Sequence, residues 1–231
     1  MRELRFAVKN TIPIFFTYLF IGIAFGALAT DAGYSVPFSV ASALFVYAGS
    51  MQLVMVPMMA SGASLAALAL MTFFINARHL FYGISFVDRF RKMGWRGAYM
   101  VFALTDETYS ILCSVQYDPG LDEDRAAFCI ALLNQLYWIF GCLVGAWAGR
   151  LLPFDMTGID FSATAFFLVV VINQWRQYRN RLPFLTAATS ALGFYLLLGK
   201  DAFLIPTLLS CLAALLILRG PIEAKEGRED A

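Results

Sequence analysis

The sequence predicts an all-α polytopic membrane protein, with about six full transmembrane helices and two broken or re-entrant segments arranged as an inverted repeat. Three observations predict it. The 231 residues are 60% hydrophobic and 14% charged, with a mean hydropathy of +0.70, whereas soluble domains are about 25% charged. Apolar runs close to the length of a bilayer crossing, about 20 residues, recur along the chain. Basic and acidic residues collect in separate loops, and the basic ones set orientation. Short alternating strands, the mark of a transmembrane barrel, do not occur in the sequence.

Eight apolar segments follow in order, at roughly 12–30, 36–59, 63–86, 98–116, 126–149, 161–173, 183–199 and 201–218. The first is preceded by Arg2, Arg5 and Lys9 and contains Ala27-Leu28-Ala29, which imitates a signal peptide. It exceeds the roughly 7–15 residues of a signal h-region and is followed by more spans, so an uncleaved first helix is expected. The second is interrupted by Gly49, Ser50, Gln52 and Pro57. The third carries Asn76, Arg78 and His79, and the fourth Asp106 and Glu107. The fifth carries Asn134 and Gln135, amides of the kind that link membrane helices. The sixth, about 13 residues ending in Asn173-Gln174, is too short to span at 1.5 Å per residue. The seventh and eighth close the apolar part, and 219–231 reads as a cytoplasmic tail.

Charge then orients the segments. Residues 87–97 hold four Lys/Arg and one Asp, and Arg176, Arg179 and Arg181 follow segment six. The positive-inside rule puts these stretches and both termini in the cytoplasm. Residues 117–125, with Asp118, Asp122, Glu123 and Asp124 against Arg125, are expected outside. This works when segments two and six return to the side they entered from. The expected domain is then a single transmembrane unit over 1–231, with repeat one at about 12–116 and repeat two at about 126–218 in opposite orientation. Gly22-x-x-x-Gly26 is echoed by Gly141-x-x-x-Gly145, and Phe38-Ser39 by Phe161-Ser162. Inverted repeats with paired broken segments characterise secondary transporters, with the substrate site where the breaks meet.

The charges at membrane depth carry the chemistry, because each costs a few kcal/mol or more unless it faces a protein interior or a watery path. Residue 92 is midway between Arg78 and Asp106, so an antiparallel hairpin folded there sets the two level. Arg78 can snorkel, form a structural ion pair, or bind a substrate carboxylate. His79, the single histidine, is either a packing residue or a proton relay. Asp106 and Glu107 point about 100° apart on a helix, so at most one faces Arg78 and the other needs a different partner or carries a proton. The expected substrate-binding set is Tyr47, Gly49, Ser50, Gln52, Asn76, Arg78 and Asn173. The expected proton-coupling or ion-pair set is His79, Asp106 and Glu107. Cys113, Cys129, Cys142 and Cys211 have no metal spacing, so no metal and no cofactor are expected. G-x-S-x-G, H-E-x-x-H, P-loop and dinucleotide motifs do not occur, nor does a basic stripe for nucleic acid.

Tyr47-Ala48-Gly49-Ser50-Met51-Gln52, Ile75-Asn76-Ala77-Arg78-His79-Leu80-Phe81-Tyr82-Gly83, Thr105-Asp106-Glu107-Thr108-Tyr109 and Gly22-x-Ala24-Phe25-Gly26 resemble the AzlC-type branched-chain amino acid permeases. The resemblance covers nearly the whole chain and is strongest in the first half. It implies a multi-pass exporter in the bacterial inner membrane, not an enzyme, with a small AzlD-type membrane subunit as partner. The leading reading is a secondary carrier for leucine, isoleucine and valine, with methionine as a further candidate, driven by protons. An intramembrane enzyme using His79 with Asp106, and a non-transporting assembly subunit, are the alternatives.

Overall fold

The computed structural model describes residues 2–151, 168, 171–172, 175–176, 181–199 and 203–218. Most of segment 161–173, including Asn173, and the tail 219–231 lie outside the described residues. Among the described residues the regular elements are all helices: α1 (Arg2–Asp31), α2 (Val36–Phe45), α3 (Gly49–Ala60), α4 (Leu65–Asn76), α5 (Arg78–Lys92), α6 (Trp95–Phe102), α7 (Asp106–Ser114), α8 (Glu123–Leu151), α9 (Leu182–Leu198) and α10 (Leu204–Ile217). The chain divides into two compact units, one of residues 1–64 and 75–163, the other of 65–74 and 164–231.

The first unit is built on α1 and α8, of 30 and 29 residues. At helical rise each is about 45 Å long, more than the roughly 30 Å hydrocarbon core. These two are long and apolar enough to cross a membrane, and the other described helices are shorter. Their contacts climb together. Thr11 meets Tyr137 at 3.2 Å, Phe15 lies edge-on to the same ring at 5.1 Å, and Tyr18 lies edge-on to Trp138 at 5.6 Å. Further along, a Cβ on Gly22 would stand 2.9 Å from the Gly141 backbone. The two helices therefore run parallel, with Gly22 and Gly26 set against Gly141 and Gly145. Small residues at those positions let the backbones touch, which is the source of close packing where lipid offers no hydrophobic drive.

α2 starts at an N-cap, Ser35, whose hydroxyl accepts from Phe38 N–H at 3.4 Å. It runs against the direction of α8: Val36 and Pro37 share a cleft with Trp147, Arg150 and Leu151, while Gln135 donates to the Leu44 carbonyl at 3.0 Å. α2 ends there, halfway along α8, and Tyr47 turns the chain with φ 44°. This is the break expected in segment two.

Segment 98–116 departs from expectation. It is a helix, a break and a second helix that returns. α6 climbs beside α8, with Trp95 and Tyr99 against Phe128 at 5.6 and 5.2 Å and the Tyr99 hydroxyl donating to Gln135 at 2.7 Å. α7 begins level with Asn134, which donates to Thr108 at 3.0 Å. It descends until Tyr117 stacks on Phe6 near the start of α1, at 5.6 Å. The reversal has a local cause. Thr105 is an extended N-cap that accepts from Thr108 N–H at 3.3 Å, and Asp106 and Glu107 fill the first turn, where the helix dipole favours acids.

Three corrections follow. Residues 117–125 lie at the same end as 87–97, because Arg89 pairs with Asp124 at 3.0 Å. The acidic loop misled because Asp and Glu contribute little to the positive-inside rule. With segment four returning, one crossing is lost, and α8 enters from the same end as α1. The opposed orientation that an inverted repeat of 12–116 and 126–218 requires is therefore not seen in their first helices. In the second unit, α9 and α10 pack side by side, Tyr195 lies edge-on to Phe203 at 5.4 Å, and the Arg181 guanidinium sits 4.0 Å over the Trp175 ring.

Candidate functional site

Three short helices of the first unit begin within hydrogen-bonding reach of each other, at the mid-height of α1 and α8. Arg78, the first residue of α5, reaches both of the others. Its Nη1 lies 2.7 Å from Asp106 Oδ2 at the start of α7, and its Nη2 donates to Ser50 Oγ at the start of α3 at 2.9 Å. The expected contact of Arg78 with the acidic pair is present, but not through an antiparallel hairpin. α5 and α7 descend together: Tyr82 stacks on Tyr109 at 4.5 Å, Phe86 lies edge-on to Tyr109 at 5.8 Å, and Arg89 reaches Tyr117 at 3.4 Å. Asp106 and Arg78 meet because each opens its helix.

The electrostatics are uneven. Asp106 at a helix N-terminus is favoured by the dipole, whereas Arg78 at one is disfavoured and relies on Asp106. The two side chains are 36% and 35% exposed, so the pair is partly open. Among the described residues, Arg78 Nε, Asp106 Oδ1, Asn76 Oδ1 and the Tyr47 hydroxyl are buried without a hydrogen-bond partner. Buried polar atoms are nearly always paired, so each of these is an exception.

Glu107 turns the other way. Its Oε2 accepts from the Tyr18 hydroxyl at 2.7 Å, and Tyr18 also lies 2.8 Å from Thr105 Oγ1. His79 is not joined to Asp106; its Nδ1 sits 3.1 Å from the Asn76 carbonyl and its ring lies edge-on to Tyr82 at 5.9 Å. Gln52 is fully buried and engaged: its Oε1 accepts from Ala48 N–H at 3.2 Å and from Trp138 Nε1 at 3.1 Å, while its Nε2 donates to Ser42 at 2.8 Å. It braces the α2–α3 break, much as a helix-start glutamine reaches back to the cap. Gly49 lets that break approach Trp138, which a Cβ there would meet at 3.0 Å. Sequence reasoning missed Tyr18, Thr105 and Trp138. Only Thr105 carried a signal, as an N-cap residue ahead of two acids.

At the basic end, Arg89 ties α5 to Asp124 of α8 and to Tyr117, whose ring it also covers at 5.3 Å. Burial pulls the Arg89 pKa down, but the bonds to Asp124 and Tyr117 outweigh it and the net direction is up. Burial likewise pushes the Tyr117 hydroxyl up, against the lowering effect of Arg89.

The family described as AzlC protein matches residues 13–152. A protein of Bacillus subtilis (strain 168) named branched-chain amino acid transport protein AzlC is 35% identical over 96% of this chain and 87% of its own length. An uncharacterized membrane protein of Helicobacter pylori (strain J99) is 34% identical over 96% of this chain and 98% of its own. The inner membrane protein YgaZ of Escherichia coli (strain K12) is 30% identical over 90% and 88%. No solved structure matches the chain.

Proposed function

The chain belongs to the AzlC family, and from that premise and the meeting of its short helices we propose that it is a secondary carrier exporting leucine, isoleucine and valine, with methionine as a further candidate, in exchange for protons. The observation that carries this reading is the Arg78–Asp106 pair with its unused Nε and Oδ1. An α-amino acid brings a carboxylate and an ammonium a few ångströms apart. The carboxylate docks on Arg78, with Ser50 and the free N–H groups at the start of α3 beside it. The ammonium docks on Asp106. One ion pair is thereby exchanged for two, and neither charge is stranded.

Tyr47, Gly49 and Asn76 complete the substrate set, the first and last with unused polar atoms. Asn173, outside the described residues, completes the residues assigned to this role, while Gln52 braces the break that presents Gly49 and Ser50. His79, Asp106 and Glu107 are the candidates for handling protons. The name of the Escherichia coli relative supports an inner-membrane location. The basic residues favour a cytoplasmic N-terminus and 87–97, and the Arg89–Asp124 pair brings 117–125 to the same side. A small AzlD-type membrane subunit is the proposed partner, on resemblance alone.

Efflux from cells loaded with a branched-chain dipeptide tests the reading. Cells expressing the chain with its partner should release the amino acid faster than cells without it. Equal release at verified membrane abundance would refute it.

A further inference from the structure

We propose that Glu107 is the proton-binding group of this carrier, and that Tyr18 and Thr105 relay its charge state to Thr108, which Asn134 of α8 holds. The inference rests on the transport reading for its purpose, though not for its geometry.

The two adjacent carboxylates have different company. Asp106 faces a guanidinium at 2.7 Å, so protonating it would strand the charge of Arg78. Glu107 has no ion-pair partner among the described residues. Its contacts are hydroxyls: Tyr18 from α1 at 2.7 Å, with Tyr47 from the α2–α3 break in electrostatic reach. Arg78 from α5 is taken by Asp106, and α8 offers the neutral Asn134 and Trp138. Neutralising Glu107 strands nothing, which makes it the carboxyl able to gain and lose a proton at membrane depth.

From Glu107 an unbroken chain of groups leads inward. Tyr18 lies 2.8 Å from Thr105 Oγ1, Thr105 lies 3.1 Å from Thr108 Oγ1, and Asn134 Nδ2 lies 3.0 Å from Thr108 Oγ1. Each hydroxyl can donate once and accept twice, and its hydrogen turns to suit. Thr108 Oγ1 accepts from both Thr105 Oγ1 and Asn134 Nδ2, so Thr105 already spends its hydrogen on Thr108. With Glu107 ionised, Tyr18 spends its own on the carboxylate, and the 2.8 Å contact between Tyr18 and Thr105 holds no hydrogen. When a hydronium gives its proton to Glu107 and leaves as water, the carboxyl donates to Tyr18, and Tyr18 turns to donate to Thr105. Every link from Glu107 to Thr108 then carries a hydrogen. The chain of hydroxyls also shares the first turn of α7 with Asp106, so an ammonium that draws Asp106 from Arg78 moves Thr105 and Glu107 with it.

Infrared titration of the purified full chain in lipid reads the proton site without any transport. A carboxylic C=O band that titrates should vanish in Glu107→Gln, persist in Asp106→Asn, and shift in frequency in Tyr18→Phe, which removes one hydroxyl only. An unchanged band in Glu107→Gln, or an unmoved one in Tyr18→Phe, overturns the proposal. In proteoliposomes holding the chain and its co-expressed partner, an imposed pH gradient should accelerate leucine flux through the wild type, and that ratio should fall to unity in Glu107→Gln. A wild-type ratio in the variant overturns the proposal too. Should the wild type move no branched-chain amino acid, the transport reading fails while the infrared band still decides on Glu107.

Discussion

Arg78 commits one hydrogen of Nη1 to Asp106 and one of Nη2 to Ser50, and of its five N–H donors the one on Nε is buried without a partner among the described residues, so the proposed carboxylate can take it without first breaking either bond. That use of several donors in one plane is what lysine cannot copy. Arg78→Lys should therefore lower dipeptide-driven efflux about tenfold or more at equal membrane abundance, the loss of a charge-assisted contact worth about 1.4 kcal/mol or more. Near-normal efflux would mean that Arg78 only carries its charge to the membrane interface. Gln52 belongs to a different class. Gln52→Leu leaves Trp138 Nε1, Ser42 Oγ and Ala48 N–H without their partner, at about 1–3 kcal/mol for each group left unsatisfied. A fall in melting temperature, with leucine affinity unchanged in the surviving folded protein, is the expected result. Residue types alone exposed the charges at depth but could not separate these roles. Gln52 and Ser50 are both polar side chains beside a helix break, and only the partners they find tell the brace from the ligand.

Among the elements, the breaks were legible unevenly. Gly49 marked the second segment as interrupted at the place where α3 starts, whereas Pro57, expected to share in the interruption, lies inside α3. The break at Thr105 hides in an apolar run, and a threonine cap with acids behind it is a weaker mark than glycine. Its discovery reverses the placement of 117–125. Single cysteines at Gly94 and Gly120, in a background lacking the native cysteines, should be labelled by an impermeant thiol reagent from one and the same face. Labelling from opposite faces would contradict the observed course of α7. The α1–α8 seam makes a sharper demand. Gly22→Leu puts a branched side chain where a Cβ alone already stands 2.9 Å from backbone. Because backbone cannot yield as a flexible side chain can, the helices must separate. The expected result is loss of folded protein in detergent, with Gly193→Leu, in α9 and free of near neighbours, as the control. Recovery of Gly22→Leu at wild-type yield and melting temperature would count against the close parallel packing.

For the whole molecule, composition sufficed for the class, since a chain this apolar has few other ways to satisfy its backbone. The relation between halves was less accessible. Orientation is a parity, and one misjudged segment inverts every helix after it. The proposed partner is tested at this scale: efflux should be full only when a small helical membrane subunit is co-expressed, and undiminished transport by the chain alone in liposomes would remove the need for it. The seam of α1 and α8 has one further consequence. Glycine-to-backbone contact leaves little room for sliding or tilting, so this pair acts as a fixed mast. If the proposed transport holds, alternation between the two sides of the membrane would fall to the short pieces hung on it, α2, α3, α6 and α7, whose ends meet halfway. The moving parts of such a carrier would be half-helices, each covering about half the membrane's thickness, while the mast stays still.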